Sequence, residues 1–292
     1  MKDYLMIVLA VALLAFCFIL QKLFQKQTDP SPQTSVDFSI LSGIGTVLIL
    51  VLSSGFRISF TWYSGLNAFL KSTCVLAYTV IGFQIMQAGS ISTYMLFLMS
   101  GGMLIPAAWG WAFLGETPKL LHIFGLVVIL FSVVLNNLGK DAGKTRILLM
   151  GIGVFVLNGF VSVLSKLHQV NETYPMVSTV EYVALSAVAS LAMSVLLKGV
   201  FCLRKTKQRR EKRKGRALPL LIALAYSGIC ALSSVLQLEG AKNLPASMLY
   251  PMITGGTVAF SGIFAWAIFR EKLSLRGWIS VALCCIGTCL FL

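Results

Sequence analysis

Long apolar runs and short polar breaks alternate along the whole chain. A helix that crosses a bilayer needs about 20 mostly apolar residues. Ten runs fit that length: 4–24, 37–54, 63–86, 90–114, 118–138, 146–168, 175–199, 217–239, 245–269 and 274–292. Pro118, Pro175, Pro219 and Pro245 stand at or near the predicted helix starts, where a missing N–H costs least. Thr117 and Ser274 are the N-caps expected from this pattern. A polar, glycine-containing segment at 139–146 (GKDAGKTR) separates five runs from five.

The two sets of runs are related. Residues 106–134 and 261–289 align at a constant offset of 155, which places Trp111 on Trp266, Ala112 on Ala267, Glu116 on Glu271 and Leu120 on Leu275. Upstream, Gly101 falls on Gly256. Five is odd, so the second set enters the membrane with the opposite orientation. The expected fold is an all-α membrane protein of ten transmembrane helices. Residues 1–138 and 147–292 form two five-helix inverted-topology repeats, joined by the linker 139–146. Such repeats place a binding site near the bilayer midplane, between the halves.

Composition narrows the class. The chain is 57% hydrophobic and 12% charged, against about 25% charged in soluble domains. Soluble enzymes and binding modules are thereby excluded. The first run is too long for the apolar core of a signal peptide, and no small-residue cleavage site follows it. Seven cysteines (Cys17, Cys74, Cys202, Cys230, Cys284, Cys285 and Cys289) lie in or at the ends of apolar runs. They read as small helix residues rather than metal ligands. His122 and His168 lie at the ends of unrelated helices and form no ligand pair. No cofactor or metal is expected. No GxxxxGK[ST] motif is present, so any transport would draw on an ion or solute gradient.

Charge patterning bears on orientation. Lysines and arginines number 17 in the odd-numbered loops and 5 on the other side, and nine of the 17 lie in the run 204–216. By the positive-inside rule the odd loops are cytoplasmic and both termini lie outside. Between two spans, this run is expected to meet anionic lipid, at about 1 kcal/mol per basic residue, rather than nucleic acid.

Few residues inside the runs carry chemistry. Lys71 and Glu181 enter from the same face, about 12 Å and about 9 Å from the predicted helix starts. They read as a charged gate or substrate pair, or as groups snorkelling to the interface. Tyr78 and Gln84 on the third helix, Tyr94 on the fourth and Asn158 on the sixth are candidate cavity residues. So are Tyr226 and Gln237 on the eighth and Tyr250 on the ninth. Each has the alternative reading of a helix-packing hydrogen bond. The pairs Gly101-Gly102 and Gly255-Gly256 predict close helix approach. Pro106 and Pro251 predict kinks that free carbonyls. The repeated acids Glu116 and Glu271 each precede a helix, whose dipole stabilises an anion by about 0.3–1 kcal/mol.

These features resemble the EamA-like branch of the drug/metabolite transporter superfamily. The resemblance rests on ten helices in two halves, on Leu114-Gly115-Glu116 ahead of a helix with Gly125, and on Phe269-Arg270-Glu271 ahead of a helix with Gly287. Arg270 stands where glycine is usual. The resemblance implies a secondary transporter or exporter of small metabolites or drug-like solutes, working by alternating access. It also implies cytoplasmic termini, the opposite of the charge count. A lipid-carrier flippase of the same fold and an integral-membrane lipid-modifying enzyme are the competing readings. The expected setting is the plasma (inner) membrane of a bacterium, with a small solute and the lipid bilayer as partners. Monomer and homodimer both stay open.

Overall fold

A computed structural model describes residues 2–28, 32–55, 58–87, 91–117, 119–137, 145–203, 217–270 and 275–291. Among these residues the chain is helical without strands. The helices are α1 (Lys2–Gln27), α2 (Pro32–Ser53), α3 (Trp62–Gln87), α4 (Ile91–Phe113), α5 (Leu120–Asn137), α6 (Thr145–Val170), α7 (Thr179–Leu203), α8 (Ala217–Asn243), α9 (Ala246–Phe269) and α10 (Leu275–Cys289). Each falls on a predicted run. Seven of them are long and apolar enough by themselves to cross a membrane, while α5 and α10 are shorter apolar helices. Ser64, Asn67, Lys71, Ser72 and Thr79 of the long helix α3 all turn inward to neighbouring helices or the cavity, where lipid does not select against them.

Large apolar side chains such as Leu5, Leu9, Leu48, Leu52, Phe124 and Phe131 are exposed on the outside of the bundle. That surface suits lipid, in which backbone groups must be satisfied within each helix. The largest buried cluster joins α1, α4, α5, α8, α9 and α10 around Ile7, Met103, Ile129, Leu249 and Met252.

Helix contacts run between the two sequence halves more than within them. α1 packs on α8 and α9, α2 on α7 and α8, and α3 on α6 and α7. α4 packs on α6 and α9, and α5 on α10. Glycines permit the closest approaches. A side chain at Gly101 would run into the backbone of α6 at Phe155, and one at Gly256 would meet Val11 of α1. At the α5–α10 crossing, Gly125 and Gly287 each stand against the other's carbonyl oxygen. Two helical turns away, Ser132 Oγ donates to Ser280 O at 2.7 Å and Ser280 Oγ to Ser132 O at 3.0 Å.

The helix alternation defines two faces. One, the N-terminal face, carries the chain start and the connections α2–α3, α4–α5, α6–α7 and α8–α9. The other carries the opposite helix ends, and is called the basic face because the sequence places most lysines and arginines in the stretches that follow those ends. At the N-terminal face α4 ends through Gly115, whose φ of +65° is left-handed, and Glu116 N donates back to Gly110 O at 3.1 Å. At the basic face the corresponding residue is Arg270, the C-cap of α9, with φ +52° and ψ +33°. A side chain there costs roughly 1–2 kcal/mol relative to a right-handed backbone. Glu271, the second repeated acid, and the basic run 204–216 lie outside the described residues.

Candidate functional site

Eight helices, α1–α4 and α6–α9, enclose a cavity of about 660 Å³. Its deep end is bounded by Lys71, Val183, Ala241 and Leu249, and its mouth by Gln21, Val36, Ser39 and Leu197 near the basic face. The walls are mostly aliphatic and aromatic, interrupted by hydroxyls and amides. Among the described lining residues Lys71 is the one charged group, and no carboxylate lines the space.

Below the cavity, toward the N-terminal face, polar side chains tie α3 of the first half to α6 and α7 of the second. Asn67 Nδ2 donates to Leu164 O at 3.2 Å, and Tyr182 Oη donates to Asn67 Oδ1 at 2.7 Å. Ser64 Oγ meets His168 Nε2 at 2.8 Å and accepts from Val177 N at 3.1 Å. Gln169 Nε2 donates to His168 Nδ1 at 3.1 Å, while Thr179 Oγ1 donates to Gln169 Oε1 at 3.3 Å. Both imidazole nitrogens are therefore engaged. The His168 ring stacks on Tyr182 with centroids 3.7 Å apart. Low dielectric strengthens each of these bonds, and complete satisfaction makes the set rigid.

Glu116 closes a second part of this face. It was expected to stabilise the start of α5, the helix that follows it. Instead its carboxylate reaches the start of α9, taking Ala246 N at 2.6 Å, Ser247 N at 2.9 Å and Ser247 Oγ at 2.6 Å. Pro245 precedes α9 and supplies no side-chain cap, so the acid of the first half caps a helix of the second. Gly110 lacks a side chain where the Glu116 carboxylate lies. Beside it, Lys166 Nζ donates to Ala241 O in the last turn of α8 and to Leu244 O just beyond it, both at 2.6 Å.

The candidate residues divide into two sets. Lys71, Tyr78, Asn158, Tyr226, Gln237 and Tyr250 line the cavity. Two of these also hold helices together: Asn158 Nδ2 donates to Leu98 O at 2.7 Å and Tyr250 Oη to Ser162 O at 2.5 Å. Gln237 Nε2 donates to Ser233 Oγ at 2.9 Å within α8. Pro106 leaves the Gly102 carbonyl without a helical donor, and Ser162 Oγ turns to it at 3.4 Å.

Gln84, Tyr94 and Glu181 are absent from the lining. Gln84 is exposed, and Tyr94 packs into the space left by Gly82 of α3. The expected Lys71–Glu181 pair does not form. α7 starts at Thr179 rather than near Pro175, so Glu181 lies in the first helical turn. There it closes a capping box: Ser178 N donates to Glu181 Oε2 at 2.9 Å and Glu181 N lies 3.4 Å from Ser178 Oγ. Its Oε1 accepts from Ser59 N at 2.8 Å. The Lys71 ammonium lies 5.3 Å from the centroid of the Tyr182 ring, with no hydrogen-bonded or ion-paired partner among the described residues.

A double-mutant cycle should therefore read additivity. Glu181→Gln lowers thermal stability by removing a cap and an inter-loop bond. Lys71→Met raises it, because a cation held in a largely apolar cavity without a carboxylate partner is unfavourable. Coupling between the two stays within about 0.5 kcal/mol. A larger favourable coupling would mean that the pair forms after all.

Sequence reading overlooked the hydroxyl lining. Ser186, Ser190 and Ser194 recur every four residues on α7 and face the cavity together. Ser72 Oγ contacts Ser190 Oγ at 3.1 Å and donates to Ser186 O at 3.3 Å. The four-residue spacing was the signal.

Residues 145–292 match the model of the EamA-like transporter family. No curated protein matches the chain. A solved crystal structure of a protein superposes with a TM-score of 0.74 at 16% identity, covering 99% of this chain and 97% of that one. At that identity the likeness concerns the fold.

Proposed function

This chain belongs to the EamA-like transporter family, a family of membrane transporters, and from that premise we propose that it carries a small organic solute by alternating access between two inverted five-helix repeats. The observation that carries the reading is the one-sided cavity. Both halves line it, it reaches the basic face, and inter-half hydrogen bonds close the floor beneath it.

The helix contacts support the repeat. Exchanging each helix with the one five places away turns α1·α8 into α6·α3, and α1·α9 into α6·α4. It maps α2·α7, α4·α9 and α5·α10 onto themselves. The α5–α10 crossing behaves likewise, since Gly125 aligns with Ser280 and Ser132 with Gly287 at the offset of 155. Rocking one repeat against the other about such a crossing would close the mouth while parting the floor. The positive-inside rule favours a cytoplasmic basic face, so we read this conformer as open to the cytoplasm of a bacterial cell.

Counterflow of a panel of labelled small organic solutes into proteoliposomes tests the reading. Uptake of at least one solute above empty vesicles is expected. Ser190→Trp, which fills the cavity from α7, should abolish it while the protein still folds. Wild-type vesicles indistinguishable from empty ones for every solute, or full uptake by the tryptophan variant, would contradict it.

A further inference from the structure

We infer that the cavity is built for a monoanionic organic acid, with the carboxylate seated at Lys71. The inference rests on the transporter reading and adds the charge class of the cargo. Lys71 lines the deep end of the cavity, and among the described residues neither a carboxylate nor a carbonyl compensates it. Its neighbours among the described residues are weak ones: the Tyr182 ring, 5.3 Å to the centroid, and the Cys230 thiol, which shares the cavity wall. A cation–π contact of this kind offsets only part of the desolvation of an ammonium. In an apolar surrounding a charge left this way calls for a counter-charge, and no carboxylate of the described lining supplies one. A solute that brings the anion meets that demand, whereas a cationic solute meets like charge in low dielectric.

Two further features narrow the class. The cavity has one cation and no arginine among its described lining residues. Phosphate recognition draws on arginine forks or several converging cations and N–H groups, so one point charge suits a carboxylate better. Neutral donors complete the lining: Ser72, next to Lys71 in sequence, pairs its hydroxyl with Ser190, and Thr257 Oγ1 on α9 is buried without a partner among the described residues. The remaining wall, including Phe18, Leu76, Met99, Met193 and Ile253, is apolar and suits the hydrocarbon body of the acid.

The position of Lys71 also joins binding to the closed floor. Ser64, Asn67 and Lys71 lie on one stripe of α3, and Tyr182, against which Lys71 rests, is the residue that bonds Asn67 and stacks on His168. A carboxylate that draws the ammonium away from the Tyr182 ring acts at the link between cavity and floor.

The test uses the purified full-length protein in detergent and three near-isosteric probes: phenylacetate, phenylacetamide and phenethylamine. Thermal unfolding should shift upward with phenylacetate and not with the amide or the amine. Lys71→Gln should weaken the phenylacetate response by at least about tenfold, equivalent to about 1.4 kcal/mol, while Lys71→Arg retains part of it. If the glutamine variant fails to fold, Lys71→Met and Lys71→Arg carry the comparison. No shift with phenylacetate, an equal shift with the amide or amine, stabilisation by chloride alone, or an unaltered response in the glutamine variant would each overturn the inference. Vesicle flux separates it from the reading beneath it. Lys71-dependent binding without flux keeps the anion site and removes the transporter, whereas flux of neutral or cationic solutes without phenylacetate binding does the reverse.

Discussion

Glu116→Ala is expected to cost about 3 kcal/mol of stability, a large effect for one surface-proximal acid. Three donors at the start of α9 lose their acceptor together: Ala246 N, Ser247 N and the Ser247 hydroxyl. Hydrogen bonds to a charged group contribute about 1.5–3 kcal/mol each, and capping residues about 0.5–2 kcal/mol on truncation. The values do not add, since water replaces part of what is lost at a partly open face. Glu116→Gln should lose roughly half as much. It keeps one acceptor oxygen but turns an amide NH₂ toward a backbone N–H. Thermal unfolding in detergent checks the order wild type, glutamine, alanine. An alanine variant as stable as wild type would mean that the inter-half cap carries no energy.

Gly101→Ala is expected to destabilise by about 3 kcal/mol or more, and Gly102→Ala by only about 1 kcal/mol. The two glycines are neighbours, yet a new methyl group meets different things. At Gly101 it meets the carbonyl oxygen, carbonyl carbon and Cα of Phe155, so α4 and α6 themselves must part. At Gly102 it meets the Asn158 amide nitrogen at 2.7 Å, the far end of a side chain that can rotate away at the expense of its bond to Leu98 O. Separating α4 from α6 also disturbs the cavity wall, to which Gly102 and Asn158 both contribute. Equal melting temperatures for the two variants would contradict the account of this helix contact.

Much of this architecture is legible in the sequence, because a bilayer imposes a length on every apolar run and leaves charge to mark the connections. The helices follow from that constraint alone. The close contacts at Gly101 and Gly256 were likewise visible as small residues in corresponding places, whereas the approach of Gly125 to Gly287 was not. Partners across the bundle were not visible. Glu116 reads locally as a cap for α5, and only the crossing of the halves brings it to α9, 130 residues along the chain. The depth assigned to Glu181 failed because a helix was started at Pro175. An Asx turn, Thr173 N to Asn171 Oδ1 at 3.3 Å, and the Ser178–Glu181 capping box hold that segment as a loop. The motif Ser178-x-x-Glu181 was there to be read. The side of α3 to which Gln84 points was not, since the helix is polar on more than one face.

The central claim is that the two faces open reciprocally about the cavity, and distances between spin labels on the two halves measure this directly. One pair, Gln21 with Leu197, spans the mouth at the basic face. The other, Phe60 with Tyr174, spans the N-terminal face, where both side chains are exposed. In liposomes, pulsed dipolar spectroscopy should resolve two populations. A longer distance at the N-terminal face should accompany a shorter one at the mouth, and phenylacetate should change both fractions together. A single unchanging distance at each face, or faces that lengthen together, would contradict alternating access in this protein.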